Sequence, residues 1–191
     1  MIWESWGGGK AQPKAIINTS DRPCGSFACD SSTMTFVGTD NPAYEINGRD
    51  ILSGKKKWIY YVKHGPVQQY LYSPQLKTIY VFTRESVTAL NIKGEIKYIF
   101  ELPNDPKEEL DTYSLCIPVV LSDGSILLSA YSPNSDEIEK TVYLLDPSGN
   151  ILLRYRFNND YYITLGADNQ KHLFIYAGSS GRLKVISLPV N

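Results

Sequence analysis

An all-β fold made of four repeated antiparallel sheets, arranged as a β-propeller, is what the sequence predicts, on three observations. A short strand-like segment recurs at nearly constant spacing, a tight-turn signature recurs behind it, and no helix-length amphipathic run occurs anywhere. The recurring segments are Met34-Thr-Phe-Val37, Thr78-Ile-Tyr-Val81, Ser125-Ile-Leu-Leu128 and Leu173-Phe-Ile-Tyr176. From Phe36 to Tyr80, Leu127 and Phe174 the steps are 44, 47 and 47 residues, close to the roughly 40–45 residues of a four-stranded blade.

The elements follow in order. Each recurring segment is rich in β-branched and aromatic residues, which pack well on a pleated surface. Polar turn residues lead into several of them, among them Ser122-Asp-Gly124 and Asp168-Asn-Gln170. Val87-Thr-Ala-Leu90 and Val142-Tyr-Leu-Leu145 read as third strands. Behind the third strand come Asp50-Ile-Leu-Ser-Gly54, Asn91-Ile-Lys-Gly94 and Asp146-Pro-Ser-Gly149. Asp and Asn tolerate turn geometry and Gly takes positive φ without steric cost, so these close hairpins. Four residues after each glycine stands a large apolar residue, Trp58, Tyr98 and Leu153, returning on the outer strand. The blades expected on this basis span about residues 15–62, 66–102, 113–157 and 160–188, within one domain covering 1–191.

Asp50-Ile-Leu-Ser-Gly-Lys-Lys-Lys-Trp58 resembles the Asp-x-x-x-Gly-Lys-x-x-Trp element of quinoprotein-dehydrogenase-like (PQQ-like) propellers, and residues 87–98 and 142–153 are weaker copies. The resemblance runs from about Ser32 onward and implies the fold. It implies no activity, because the vicinal Cys-Cys pair and the Asp/Glu/Asn calcium cluster of the enzymes have no counterpart here. No catalytic, cofactor-binding or metal-ligating residue is therefore assigned.

The last repeat offers Tyr161-Tyr-Ile-Thr-Leu165, Leu173 to Tyr176 and Leu183-Lys-Val-Ile-Ser187, after which only Leu188-Pro-Val-Asn191 remains. Ile2-Trp-Glu-Ser-Trp6 looks like the missing fourth strand, and an unpaired edge is a liability that ring closure removes. The expectation is that residues 1–6 complete the last blade, within one chain as a four-bladed ring or between two chains as an eight-bladed homodimer. A slice of a longer propeller is the third reading.

With 19 basic and 20 acidic residues the net charge is −1, so nothing favours nucleic acid or an anionic membrane as partner. Lys55-Lys56-Lys57 reads as a solvated turn. The N-terminus lacks the apolar core of a signal peptide, and no stretch is as long as a membrane span, so the chain reads as soluble with its compartment open. Cys24, Cys29 and Cys116 are an odd set without a second pair for zinc; they read as buried or free thiols, with a Cys24–Cys29 disulfide as the alternative in an exported protein. Gly7-Gly-Gly-Lys10 lacks the glycine and the Ser or Thr that a phosphate loop needs and reads as a linker. Asn18-Thr-Ser20 is a glycosylation sequon only in a eukaryotic secreted context. His64 and His172 sit at strand ends and read as surface residues, since a catalytic base needs a positioned partner. Asp105, Lys107, Glu108, Glu109 and Asp111, and the 132–140 stretch, read as solvated charged loops. Tyr60, Tyr61, Tyr70, Tyr72 and Tyr80 read as blade core. The function expected is a non-enzymatic binding or scaffolding propeller presenting loops to a protein, peptide or glycan. The alternative is an enzyme, or a subunit of one, with a small-molecule site at a central channel.

Overall fold

The computed structural model describes residues 2–3, 13–15, 28–30, 35–38, 44–103, 108–110, 118–132, 139–158, 163–168, 172–177 and 181–187. All regular elements among them are strands. Strands β1 (Ile2–Trp3) and β2 (Pro13–Ala15) pair with each other. The first sheet is an antiparallel meander of β3 (Ala28–Asp30), β4 (Thr35–Gly38), β5 (Glu45–Asp50) and β6 (Lys56–Tyr61). The second is β7 (Gln69–Ser73), β8 (Thr78–Phe82), β9 (Ser86–Asn91) and β10 (Ile96–Glu101), again in sequential order.

In the third sheet β13 (Ile126–Tyr131), β14 (Glu139–Leu145) and β15 (Ile151–Asn158) follow in order, but the first strand is in two pieces. Both β11 (Glu109–Leu110) and β12 (Val119–Val120) pair with β13. The fourth sheet holds three strands among the described residues, β16 (Ile163–Ala167), β17 (His172–Ala177) and β18 (Arg182–Ser187). The fold is thus the expected all-β, propeller-type series of four antiparallel sheets, with β4, β8, β13 and β17 carrying the recurring segments.

The chain divides into two compact units, residues 1–81 with 89–97, and residues 82–88 with 98–191. In the first, Val37, Ile46, Tyr60, Tyr70, Ile79, Val81 and Leu90 form a dry core, with Trp58 and Tyr72 packed against it. In the second, Leu127, Val142, Leu144, Ile163, Leu173 and Ile175 do the same. Each such aliphatic side chain contributes about 1.5–3 kcal/mol by leaving water. Burial is steep across a sheet. Every residue of β8 is buried, whereas four of the six residues of β6 are exposed. Strand β8 therefore reads as a nearly continuous apolar run and β6 as a mixed one.

The turns behave as their residues dictate. Asp50 Oδ1 accepts hydrogen bonds from the Leu52 and Ser53 amides, Asn91 Oδ1 from Lys93 and Glu95, and Asp146 Oδ1 from Ser148 and Asn150. Gly54, Gly94 and Gly149 follow at φ of 69°, 82° and 87°, a region closed to most side chains. These bonds hold the Asp50 and Asp146 carboxyls below the usual carboxylate range, chiefly through Ser53 for the first and Asn150 for the second.

Ile2–Trp3 pairs with Pro13–Ala15; residues 1 and 4–6 of the segment expected to complete the last sheet lie outside the described residues. Three expectations are corrected. Lys55-Lys56-Lys57 is not all turn: Lys56 and Lys57 lie in β6, paired with Glu45 at 3.2 Å and with Asp50 at 3.4 Å. Glu108 and Glu109 are not solvated, because Glu109 enters β11 and Glu108 is 4% exposed. Tyr61 is not core: it follows buried Tyr60 on β6, so strand alternation turns it outward, 65% exposed. Cys24, Cys116, Gly7-Gly-Gly-Lys10, Asn18-Thr-Ser20, Asp105, Lys107, Asp111 and residues 133–138 lie outside the described residues. Of Cys29 only the backbone, in β3, is described.

Candidate binding surfaces

The corner after each glycine is where neighbouring repeats engage. Trp58 stands opposite Gly48 on β5, and its indole occupies the space a Cβ would need: one built on Gly48 would lie 2.2 Å from Nε1. The ring continues over Gly94, where a Cβ would fall 2.6 Å from Cδ2, and Nε1–H donates to the Ile92 carbonyl at 2.9 Å. Tyr98 repeats the arrangement on Gly149, with 2.5 Å from a built Cβ to its ring. The aromatic of one repeat is seated on the turn glycine of the next.

A β-bulge accompanies this corner. In the first sheet Gly48 pairs with Trp58 and Arg49 with Lys56, leaving Lys57 as the extra residue; in the third sheet Leu152 is the extra residue in the same way. Bulges re-aim side chains, and here Lys57 turns to donate to Thr35 Oγ1 at 3.4 Å. Thr35, Lys57, Trp58, Ile92 and Lys93 line a recess of about 320 Å³.

A second cluster lies on the third sheet. The Glu108 carboxylate accepts from Thr141 Oγ1 at 2.9 Å, from Arg154 at 3.0 Å and from the Tyr143 hydroxyl, and the Arg156 guanidinium stands 4.0 Å away. Register explains the convergence, since Thr141 pairs with Arg156 and Tyr143 with Arg154 on one face of β14 and β15. Arg154 also lies 5.6 Å from the Tyr143 ring centre, and Phe100 packs 5.9 Å from that ring. Burial first, then the adjacent carboxylate, pushes the Tyr143 hydroxyl far above its usual pKa. Burial opposes the Arg154 charge, and Glu108 with Tyr143 more than offsets it, so its pKa is raised. Ser129, buried opposite the break between β11 and β12, has a hydroxyl with no hydrogen-bond partner among the described residues.

The third surface is the outer side of the fourth sheet. Tyr176 pairs with Leu183 and Phe174 with Val185 on one face, and Tyr176, Leu183 and Val185 are 45%, 61% and 51% exposed. The opposite face, with Ile163, Leu173 and Ile175, is dry. Among the described residues no strand pairs with the outer edge of β18, where the other three sheets carry β6, β10 and β15.

His172 opens β17 and closes its turn with Asp168: Nδ1 is 2.8 Å from one carboxylate oxygen while the His172 amide donates to the other at 2.9 Å. His64 lies in the bend after β6, half-buried. His172 stays with its own turn. No group of three His, Cys, Asp or Glu is placed to hold a metal among the described residues. No helix there is long and apolar enough to cross a membrane. The sequence reading missed the Glu108 cluster, whose parts lie 33 to 48 residues away from it; no local pattern marks them.

No protein-family model matches the chain, and no curated protein sequence matches it. Solved structures do. The computationally designed Ika4 protein aligns over 92% of this chain and 96% of its own, at 13% identity and a TM-score of 0.62. The designed Ika8 protein aligns over 96% of this chain at 14% identity and a TM-score of 0.64. The β-propeller domain of Cps50 (Swd1) from Myceliophteria thermophila aligns over 95% at 12% identity and 0.58. The chain spans about half the length of the last two, 51% and 55%. These likenesses establish the class: a propeller-type fold, shared with designed and natural proteins. At such low identity they carry no activity or partner to this chain.

Proposed function

We propose that this protein is a non-enzymatic binding or scaffolding propeller whose partner contributes an extended peptide segment to the open side of the fourth sheet. One observation carries the reading: β18 presents an unpaired edge among the described residues, beside the exposed apolar face of Tyr176, Leu183 and Val185. An exposed strand edge pairs with an incoming strand through main-chain hydrogen bonds, while alternate side chains find apolar contacts. That chemistry suits a protein or peptide better than a glycan, whose hydroxyls cannot extend a sheet ladder. The repeated Asp50, Gly54, Trp58 corner supports reading the repeat itself as quinoprotein-like.

The test is selection of extended peptides from a random displayed library, followed by hydrogen exchange of the protein with each selected peptide. Protection of the 182–187 amides is expected, and Leu183→Glu with Val185→Glu should abolish it. Peptides that bind the double variant equally well, or protect other strands only, would defeat the proposal.

A further inference from the structure

We infer that the recess between Trp58 and the 92–94 turn binds a small carboxylate carried on an apolar or aromatic body. Its walls are the Trp58 indole and Ile92, and its polar groups are the Lys57 and Lys93 ammoniums and the Thr35 hydroxyl. The volume of about 320 Å³ falls in the range of small-ligand sites, which pair apolar walls with a few placed polar groups.

Charge selects the ligand. The bulge turns Lys57 toward the recess, where it stands 3.4 Å from Asp50 Oδ2 and 3.4 Å from Thr35 Oγ1. Lys93 is exposed on the next repeat's turn, held there by its amide donating to Asn91 Oδ1 at 2.9 Å. Its ammonium has no partner among the described residues. The Lys57 and Lys93 ammoniums beside apolar walls favour an anion with an apolar body over a neutral ligand. The second cation is a property of this corner. The matching turn beneath Tyr98 carries Pro147 and Ser148 in place of Ile92 and Lys93. The indole cannot swing aside to fill the recess, because Nε1–H is tied to the Ile92 carbonyl and the ring is seated on two glycines. The cavity wall is therefore set before any ligand arrives, which lowers the ordering cost of binding.

The carboxylate could come from a free acid or from the C-terminus of a peptide ending in an apolar residue, and two probes separate them: phenylacetate and N-acetylphenylalanine, each beside its neutral amide. Titration into the full chain, followed by amide and indole nitrogen–proton correlation spectra, reads the site through Trp58 Nε1–H and the Lys93 and Gly94 amides. Saturable shifts confined to these signals are expected at millimolar concentration, weakening as salt is raised. Lys93→Gln, on an exposed turn, should weaken the acid about two- to five-fold, the worth of one exposed ion pair. Lys57→Gln with Lys93→Gln should erase the preference for acid over amide. A response to phenylacetate alone identifies a free acid, and one to N-acetylphenylalanine identifies a peptide terminus. No shift at these signals with either acid, or equal affinity for acid and amide, overturns the inference.

Discussion

Replacing Glu108 by Ala removes the acceptor that three side chains of the third sheet share. Thr141 loses a 2.9 Å bond, Arg154 a 3.0 Å bond and Tyr143 the partner of its buried hydroxyl. A buried ion pair broken from one side costs about 3–5 kcal/mol when the surviving charge is trapped. Arg154 is not trapped, because its side chain is 38% exposed and water can reach it. Thr141 and Tyr143 are fully buried and keep the larger part of the penalty, about 1–3 kcal/mol for each unsatisfied hydroxyl. The sum favours about 3–4 kcal/mol. In a chain of 191 residues that lowers the melting temperature by roughly 6–16 °C. Urea denaturation followed by circular dichroism measures the loss directly. Tyr143→Phe should cost about 1–2 kcal/mol alone, and much less in the Glu108→Ala background, since the two groups act as one unit. A Glu108→Ala protein within about 0.5 kcal/mol of the parent, or strictly additive losses in the double variant, would refute the reading of this cluster as the pin of the third sheet.

Gly94→Ala combines a φ of 82° with a Cβ placed 2.6 Å from the Trp58 ring; the expected loss is about 2–4 kcal/mol, with a changed Trp58 indole signal, whereas Gly65→Ala meets nothing within 4 Å and bears only the strain of its φ of 81°. Because the Tyr143 pKa is raised in the folded chain, its contribution is whole below about pH 10, the unfolded value. It falls as alkali rises past that point, and Tyr143→Phe should flatten the decline. Asp50 and Asp146 act in the opposite sense: their pKa values are lowered, so their stabilisation is whole above about pH 4 and lost as acid protonates them. Asp146→Asn should hold the turn, as Asn91 does in the second sheet, while Asp146→Ala loses about 0.5–1 kcal/mol at this exposed site.

The repeat, its turns and the strand each repeat contributes were legible because all depend on neighbours in sequence: a β-branched run, an Asx before a Gly, an aromatic four places on. The corner's residues were legible too, but its packing was not. Trp58 meets Gly94 across 36 positions, and the spacing gave no hint that the turn glycine serves as a seat as well as a hinge. Glu108 was misread for a related reason. A cluster of charges resembles a wet loop until the strands bring Thr141, Tyr143 and Arg154 around one carboxylate. Likewise Lys57 looked like one of three equivalent lysines until a bulge separated its direction from that of Lys56. Strand character in Ile2 and Trp3 names no partner, so their pairing with residues 13–15 was not legible.

The seat of Trp58 on Gly94, repeated by Tyr98 on Gly149, gives the series of sheets a polarity. The first and second sheets each offer a ring downstream, and the turn of the sheet that follows receives it as a vacancy, like tenon and mortise. Units exchanged, duplicated or fused by recombination would assemble only where a bare α-carbon awaits the preceding ring. The side chain absent at position 94 is thus what limits which neighbours the first sheet will accept.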